Sequence, residues 1–142
     1  MSEATETAHR FLERTITDIG ALADVYAEKV VIEMPFAAPL FPTVHEVNRE
    51  ELRAMFTRAG APSYREITDI RIVESTDSHT AVIEYRLHGT NAGGEEFALD
   101  YIAVITTENG LIVRSRDYSS LVQAARSMGL TERLVAELTS AK

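Results

Sequence analysis

The sequence predicts an α+β fold in which short helices come first and a long antiparallel sheet follows. Apolar residues recur at helical spacing in the first third of the chain, whereas Val, Ile, Thr and Tyr dominate the segments after Tyr64. Asn109-Gly110 between two of these segments is a strong hairpin signal, because both residues tolerate the positive φ of a type I′ turn. This order favours a helix layer that covers one face of a strongly bent sheet.

Two short helices are predicted at the start of the chain. Ser2 precedes an acidic first turn, which is typical of a helix N-terminus. The apolar residues that follow, from Ala8 to Ile16, share one helical face. A second helical stretch is predicted from Gly20 to Tyr26.

One short strand, one loop and a third helix are predicted next. The β-branched run Lys29–Met34 predicts a strand that ends at the following proline, since proline cannot donate to a ladder. Residues 36–47 are predicted to form an irregular loop. Asn48 and Glu51 have capping-box spacing, which predicts a helix that begins there and ends near Gly60.

Four longer strands are predicted after Tyr64. Their ranges are Ile67–Glu74, Thr80–Gly89, Glu96–Thr107 and Leu111–Ser119. Turn-forming residues separate them, which favours an antiparallel meander. Leu121–Met128 is predicted to form one or two helical turns, and Thr131 is predicted to cap a last helix through Leu138.

Length, charge and cysteine content restrict the possible functions. The 142 residues predict one domain, 1–142. A formal net charge of -8 repels phosphate backbones and anionic lipids, so we expect neither a nucleic-acid partner nor a membrane partner. The chain has no cysteine, and its four histidines lack metal-ligand spacing, so we expect no metal and no cofactor. The acidic N-terminus is unlike a secretory signal and predicts a cytoplasmic protein.

Asp117 is the strongest candidate for acid/base chemistry. Strand alternation puts Val113, Ser115 and Asp117 on one face of the last strand, and Ile112 with two arginines on the other, solvated face. Desolvation would raise the pKa of an inward carboxyl, whereas a nearby arginine or hydrogen bonds would lower it. The structural alternative is that Asp117 accepts hydrogen bonds from a neighbouring loop or helix terminus.

Glu33 is predicted to be a second carboxylate of the site. It lies between Ile32 and Met34, in a strand that leads into a loop containing Pro and Phe. Two carboxylates in one cavity would separate their pKa values and could supply one acid and one base. The expected neighbour of Glu33 is Asp117, Arg86 or both. Alternatively, Glu33 points to water or forms a structural ion pair with Arg86.

Two pairs of residues have an ambiguous orientation. On the strand Thr80–Gly89, alternation separates Glu84 and Arg86 from Tyr85, and the polar set is consistent with the outer face of the sheet. On the next strand, Asp100 and Tyr101 point to opposite faces, so only one of them can enter a cavity. Both alternatives stay open for each strand.

Three segments together resemble a known family: Tyr26–Phe36, Asn48–Leu52 and Asn109–Tyr118. They are similar to the SnoaL-like and ketosteroid-isomerase-like branch of the nuclear transport factor 2-like superfamily. The resemblance covers about residues 8–130 and leaves 131–142 as a C-terminal helical extension. It implies a cone-shaped α+β barrel around the N-terminal helices, commonly a homodimer, with a mostly apolar pocket for a small hydrophobic ligand.

The resemblance transfers only some of the family's catalytic residues. The general base of steroid isomerases corresponds to Met34, which cannot accept a proton, and their oxyanion-hole tyrosine corresponds to Phe11. Steroid isomerase activity is therefore not expected.

The comparison with limonene-epoxide-hydrolase-like members gives a better match. Asp117 corresponds to their water-activating or acid/base aspartate, in the preserved stretch Arg-Asp-Tyr. The same comparison places Glu33, Glu84 and Arg86 at their other polar positions. It would direct Glu84 and Arg86 into the pocket, with Tyr85 outward.

The sequence thus predicts a SnoaL-like enzyme that performs cofactor-free acid/base chemistry, as a cyclase, isomerase or epoxide hydrolase, on a hydrophobic substrate. The predicted catalytic residues are Asp117, Glu33 and Arg86. The predicted ligand-binding residues are Tyr26, Met34, Phe36, Phe56, Glu84, Asp100, Tyr101 and Ser115. The alternative is a non-catalytic ligand-binding or dimeric assembly module of the same fold.

Overall fold

The computed structural model of the protein describes residues 1–140. Both predicted N-terminal helical stretches are formed, but the second ends at Val25, because Tyr26 is the first residue of a strand. Helix α1 (Glu3–Thr17) begins behind Ser2, whose hydroxyl accepts a hydrogen bond from the Thr5 amide. Helix α2 (Ile19–Leu22) and a 3-10 turn (Ala23–Val25) follow directly. The buried face of α1 packs against the sheet.

Six strands form one curved sheet in the order β2-β1-β6-β5-β4-β3. Their bounds are β1 (Tyr26–Glu33), β2 (Val44–Asn48), β3 (Ser63–Glu74), β4 (Thr80–Thr90), β5 (Glu96–Glu108) and β6 (Leu111–Ser119). Strands β3 to β6 pair antiparallel in sequence order, which confirms the predicted meander. The sheet does not close into a complete barrel, because β2 and β3 stay at its two edges.

Two local predictions need correction. The predicted loop 36–47 contains the start of β2, which pairs antiparallel with β1 and places Val44 opposite Glu33. Strand β1 pairs parallel with β6, so the sheet is mixed. Helix α3 (Arg49–Thr57) has the predicted capping box and ends near Gly60 as predicted, and Gly60 adopts φ 83° in the following turn. The parallel partner of β1, strand β6, is far away in sequence, and periodicity contains no signal for this pairing.

A β-bulge changes the predicted face of Ile112. Thr106 pairs with Arg114 and Thr107 pairs with Ile112, so Val113 has no partner on β5. The extra residue turns Ile112 to the same face as Ser115, and Ile112 is fully buried. Simple alternation was therefore wrong for Ile112 and correct for the outward arginines of β6.

The main core lies between α1, α3 and the inner face of the sheet. It includes Phe11, Leu12, Leu22, Val25, Tyr26, Val30, Leu52, Ile83, Tyr85, Leu87, Ile105 and Ile112. Burial of these aliphatic and aromatic side chains is the main stabilising contribution of the fold.

A second, smaller cluster joins the C-terminal helices to the loop before β2. Helices α4 (Leu121–Ser127) and α5 (Thr131–Thr139) contribute Ala125 and Leu134, which pack with Leu40. Leu130 occupies the N-cap of α5 and provides no side-chain cap, so Thr131 is the first helical residue rather than the predicted cap. The last two residues of the predicted extension 131–142 lie outside the described residues. Within residues 1–140, no helix is long and apolar enough to cross a membrane.

Candidate active site

The register of three strands brings Tyr101 close to Asp117 on the inner face of the sheet. Tyr85, Tyr101 and Ser119 form one row across β4, β5 and β6, and the next row contains Ala103 and Asp117. Residues in adjacent rows of neighbouring strands are diagonal neighbours, within reach of long and aromatic side chains.

Asp117 lines a cavity of about 230 Å³. The cavity lies between the inner face of the sheet, the loop after β1 and helix α4. Its lining residues are Met34, Phe36, Ala37, Phe41, Tyr101, Asp117, Ser119, Leu121, Ala124 and Met128. Asp117 is the one ionisable carboxylate among the described residues that line it, and its surroundings are mostly apolar.

Burial makes the carboxyl of Asp117 a weaker acid than usual. The Ser115 hydroxyl donates a 2.6 Å hydrogen bond to Oδ1 of Asp117, and this bond favours the ionised form. Burial acts in the opposite direction and is the larger effect, so the pKa of Asp117 rises to about 6. A carboxyl that titrates near neutral pH can both accept and return a proton.

Tyr101 supplies a hydroxyl that remains protonated in this site. Its ring stacks on Tyr85, with 5.3 Å between the ring centroids and 13° between the planes. Burial raises the pKa of Tyr101, and the nearby charges of Tyr64 and Asp117 raise it further. Among the described residues, the Tyr101 hydroxyl has no hydrogen-bond partner, so it is free to donate to a ligand oxygen.

Several predicted ligand-binding residues lie in or beside the cavity. Met34 and Phe36 line it, and the ring of Phe36 lies at the rim, 63% exposed. Ser115 is buried and contacts Asp117. Tyr26 and Phe56 belong instead to the core beneath the site, where their ring centroids are 6.2 Å apart.

Arg86 and Asp100 lie on the outer face of the sheet, which corrects their predicted place in the pocket. Nη1 of Arg86 is 2.8 Å from Oδ2 of Asp100, and the amide of Gln123 donates to the same carboxylate. Strand β4 buries Tyr85 and its apolar companions, so alternation directs Arg86 outward. The first of the two open interpretations of this strand is confirmed, and Tyr101 rather than Asp100 faces the cavity.

Glu33 and Glu84 are also outside the cavity. Glu84 is 3.6 Å from Arg71 on the outer face. Glu33 lies opposite Arg116 in the parallel pairing of β1 and β6, and its carboxylate is 3.2 Å from Arg114. Because arginines hold Glu33 on the outer face, it does not share a cavity with Asp117. The predicted pair of carboxylates is therefore not formed.

Some lining residues carried no usable sequence signal. Leu121, Ala124 and Met128 reach the cavity because α4 folds back over the sheet. The ring of Tyr85 stacks on the ring of Tyr101. Its position in the apolar set of β4 indicated an inward side chain, whereas the family resemblance placed it outward.

A second cavity of about 430 Å³ adjoins the first. The two cavities share Tyr101, Ala124 and Met128 as wall residues. Arg58, Tyr64, Phe97 and Leu99 are among the residues that line the second cavity alone. Residues 1–140 contain no group of three His, Cys, Asp or Glu side chains that could hold a metal ion.

Comparison with known proteins places the chain in a family. The model of the SnoaL-like domain matches residues 8–115. An uncharacterised PhzA/B-like protein of Pseudomonas aeruginosa is 28% identical over 116 residues, which cover 81% of this chain and 82% of that protein.

Two solved structures share the fold. A proposed isomerase from Bacillus subtilis superposes with a TM-score of 0.78 at 25% identity, over 91% of this chain and 94% of that one. An LEH-like epoxide hydrolase from Mycobacterium tuberculosis gives a TM-score of 0.67 at 19% identity, over 98% and 97%. The family match begins within α1 and ends within β6, so it includes α2, α3 and most of the sheet. The chain therefore belongs to the SnoaL-like domain family.

Proposed function

We propose that this protein is an enzyme that binds a small hydrophobic molecule and moves a proton on it without a cofactor. Cyclisation, isomerisation and epoxide opening are the reaction types in question. The observation that carries the proposal is the position of Asp117, a carboxyl with a pKa of about 6 in a cavity with mostly apolar walls. Carboxyls are rarely kept in such surroundings unless they are paired or used, because desolvating the charge costs free energy.

The geometry supports one base and one neutral hydrogen-bond donor. Ionised Asp117 would remove a proton from a carbon next to a carbonyl group, and the electron pair of that C–H bond would move onto the carbonyl oxygen. The Tyr101 hydroxyl would donate a hydrogen bond to this oxygen as its charge develops. If a C=C bond is conjugated with this enolate, protonated Asp117 would then give the proton to the far carbon of that bond, which shifts the double bond, restores the carbonyl group and regenerates the base.

A single carboxylate favours isomerisation or cyclisation over epoxide hydrolysis. Opening an epoxide with water needs one group to activate the water and another to protonate the leaving oxygen. In the described cavity Asp117 could serve only one of these roles at a time, so Tyr101 would have to supply the proton. The raised pKa of Tyr101 makes its hydroxyl a weak acid for that purpose.

The first test is a thermal-shift screen followed by a turnover assay. Steroid enones, aromatic polyketides, hydrophobic epoxides and fatty acids are the compounds to screen, because a ligand at 100 times its Kd adds about 2.7 kcal/mol of stability. For any compound that is turned over, Asp117→Asn is expected to lower kcat by at least about 100-fold. Asp100→Asn is the matched control, since it makes the same change on the outer face. Turnover that Asp117→Asn leaves unaltered would refute the assignment.

A non-catalytic binding module is the second candidate. It is favoured by the position of Phe11 and Met34, which correspond to catalytic residues of steroid isomerases and cannot transfer protons. Phe11 instead packs edge-on against Tyr85, with ring centroids 6.0 Å apart. A compound that binds wild type and Asp117→Asn equally well, with no chemical change in either mixture, would favour this candidate.

We also propose that two copies associate through the outer face of the sheet. Ile102 is 43% exposed at the centre of this face, in one row with Glu84 and Tyr118. Ion pairs such as Arg86 with Asp100 surround this apolar centre, an arrangement common in interfaces. A dimer mass for wild type and a monomer mass for Ile102→Glu, by light scattering at micromolar concentration, would support the proposal. A monomeric wild type would contradict it.

We also propose that the protein is located in the cytoplasm.

A further inference from the structure

The Asp117 cavity is too small to hold a typical ligand alone. Pockets for drug-sized molecules have volumes of roughly 300 to 1,000 Å³, and this cavity has about 230 Å³. The adjoining cavity is larger, about 430 Å³, and the two meet at Tyr101, Ala124 and Met128. A molecule whose reacting end lies beside Asp117 would therefore extend past Tyr101 into the second cavity.

The second cavity has aromatic walls. Tyr64 and Phe97 form an edge-to-face pair with ring centroids 6.3 Å apart and planes at 85°. Gly89 lies between the two residues on β4, where a Cβ would be 2.8 Å from the Phe97 ring and 3.1 Å from the Tyr64 ring. Together with Leu99, the two rings suit a flat, apolar ligand body.

A positive charge lies in the lining of the second cavity. Arg58 follows the last residue of α3, and its Nη1 donates a 2.8 Å hydrogen bond to the Met55 carbonyl. Within residues 1–140, no carboxylate lies within ion-pair distance of Arg58. Its charge acts on the cavity wall, because it lowers the pKa of the Tyr64 hydroxyl against the larger raising effect of burial.

The two carboxylates that line these cavities lie in different ones. Asp117 lines the small cavity and not the large one. Glu95 lines the large cavity with Arg58, and its Oε1 is 4.0 Å from the position that a Cβ on Gly93 would occupy. The Glu95 carboxylate is thus turned back over its own β4–β5 hairpin.

We propose that the two cavities are one site for an amphipathic organic acid, with its anionic group at Arg58 and its reacting end at Asp117. The inference rests on the proposed function for the role of Asp117, and it adds the class of ligand and its orientation. Arginine binds carboxylate and sulfonate oxygens with charge-assisted hydrogen bonds. In the reversed orientation the anionic group would lie beside Asp117 in a cavity whose described lining has no cationic side chain, so that orientation is disfavoured.

Two matched dyes test the binding part without requiring turnover. 8-Anilinonaphthalene-1-sulfonate has an aromatic body and an anionic group, and N-phenyl-1-naphthylamine has the same body without the charge. In fluorescence titrations, Arg58→Gln is expected to weaken binding of the sulfonate about tenfold, the loss of one charge-assisted contact. Binding of the neutral dye is expected to stay within about twofold of wild type.

Control variants distinguish the effect of Arg58 on dye binding from the effect of general surface charge. Arg65→Gln removes a nearby arginine that pairs with Glu96 and does not line the cavity, so it is expected to leave both dyes unaffected. Glu95→Gln removes the opposing charge and is expected to tighten binding of the sulfonate. Ala124→Phe fills the wall that the two cavities share, so it is expected to weaken both dyes.

Specific outcomes would overturn the inference. The first is that the sulfonate does not bind wild type saturably. The second is that Arg58→Gln weakens both dyes equally, and the third is that Ala124→Phe binds both dyes as well as wild type. Failure of the proposed function would look different, because Asp117→Asn would then leave turnover unchanged while the dye results stayed as expected.

Discussion

The Ser115 hydroxyl donates a 2.6 Å hydrogen bond to Oδ1 of Asp117, two residues further along the same strand and on the same face. Ser115 is itself buried, so the bond is shielded from water. It stabilises the ionised carboxylate against the cost of burial. The proton affinity of the proposed catalytic group is therefore set by two opposing effects that can be changed separately.

Ser115→Ala is expected to raise the pKa of Asp117 above its value of about 6. The substitution removes a donor that favours the ionised form, whereas burial of the carboxyl remains. The carboxyl carbon of Asp117 can be followed by NMR as a function of pH, with Asp117→Asn used to assign the resonance. An unchanged or lower pKa in Ser115→Ala would show that the hydrogen bond does not stabilise the carboxylate.

Asp117→Asn is expected to stabilise the protein at neutral pH. The folded pKa of Asp117 is about 6, above the unfolded value of roughly 3.9, so the folded state binds the proton more tightly. At about pH 3 and below, both states are protonated and the carboxyl has no effect on stability. As pH rises through 6, stability falls, by roughly 2 to 3 kcal/mol in full.

Denaturant unfolding of wild type and Asp117→Asn at several pH values measures this effect. The difference in free energy of unfolding is expected to be near zero at about pH 3 and to grow up to about pH 7. Using the difference cancels the carboxylates elsewhere that are stabilised when ionised, such as Asp77 and Glu74, whose pKa values are lowered by hydrogen bonds. A difference that does not vary with pH would contradict the raised pKa.

Arg86→Gln is expected to leave the titration of Asp117 and ligand binding unchanged. Arg86 pairs with Asp100 on the outer face, where both side chains are partly exposed. Loss of such a surface pair costs at most about 1 kcal/mol of stability. The pH titration and the dye titrations described above provide the measurement. A large loss of dye binding would instead place Arg86 at the ligand, as the resemblance to epoxide-hydrolase-like members implied.

Gly89→Ala is expected to destabilise the fold and to distort the larger cavity. A Cβ at this position would be 2.7 Å from the Ser63 carbonyl oxygen and 2.8 Å from the ring of Phe97. Because one of these neighbours is backbone, the strands must shift, at a cost of about 1 to 3 kcal/mol.

Gly20→Ala is the matched control for Gly89→Ala. Gly20 lies in α2, and its nearest potential contacts, at 3.5 and 3.6 Å, are ordinary. The control is expected to keep or slightly raise stability, since alanine favours helix over glycine. Thermal unfolding and binding of the neutral dye distinguish the two variants. Equal stability of both would refute the close packing around Gly89.

The order and type of the elements around the candidate site follow from local sequence patterns. Period-two alternation and the Asn109-Gly110 turn predicted the meander correctly, because each signal is local to one strand or one turn. The same local pattern directed Asp117 inward. The capping box at Asn48 and Glu51 was likewise predicted and is formed, since its two hydrogen bonds connect residues three apart.

Tertiary structure alone decided which side chains accompany Asp117. Alternation separates the two faces of a strand but does not show which face packs against the helices. The pattern of β4 alone therefore leaves open whether Arg86 or Tyr85 points inward. The parallel pairing of β1 with β6 directs Glu33 to the outer arginines, and a bulge at Val113 reverses Ile112. These outcomes depend on contacts between residues far apart in the chain, and the wall formed by α4 depends on them as well.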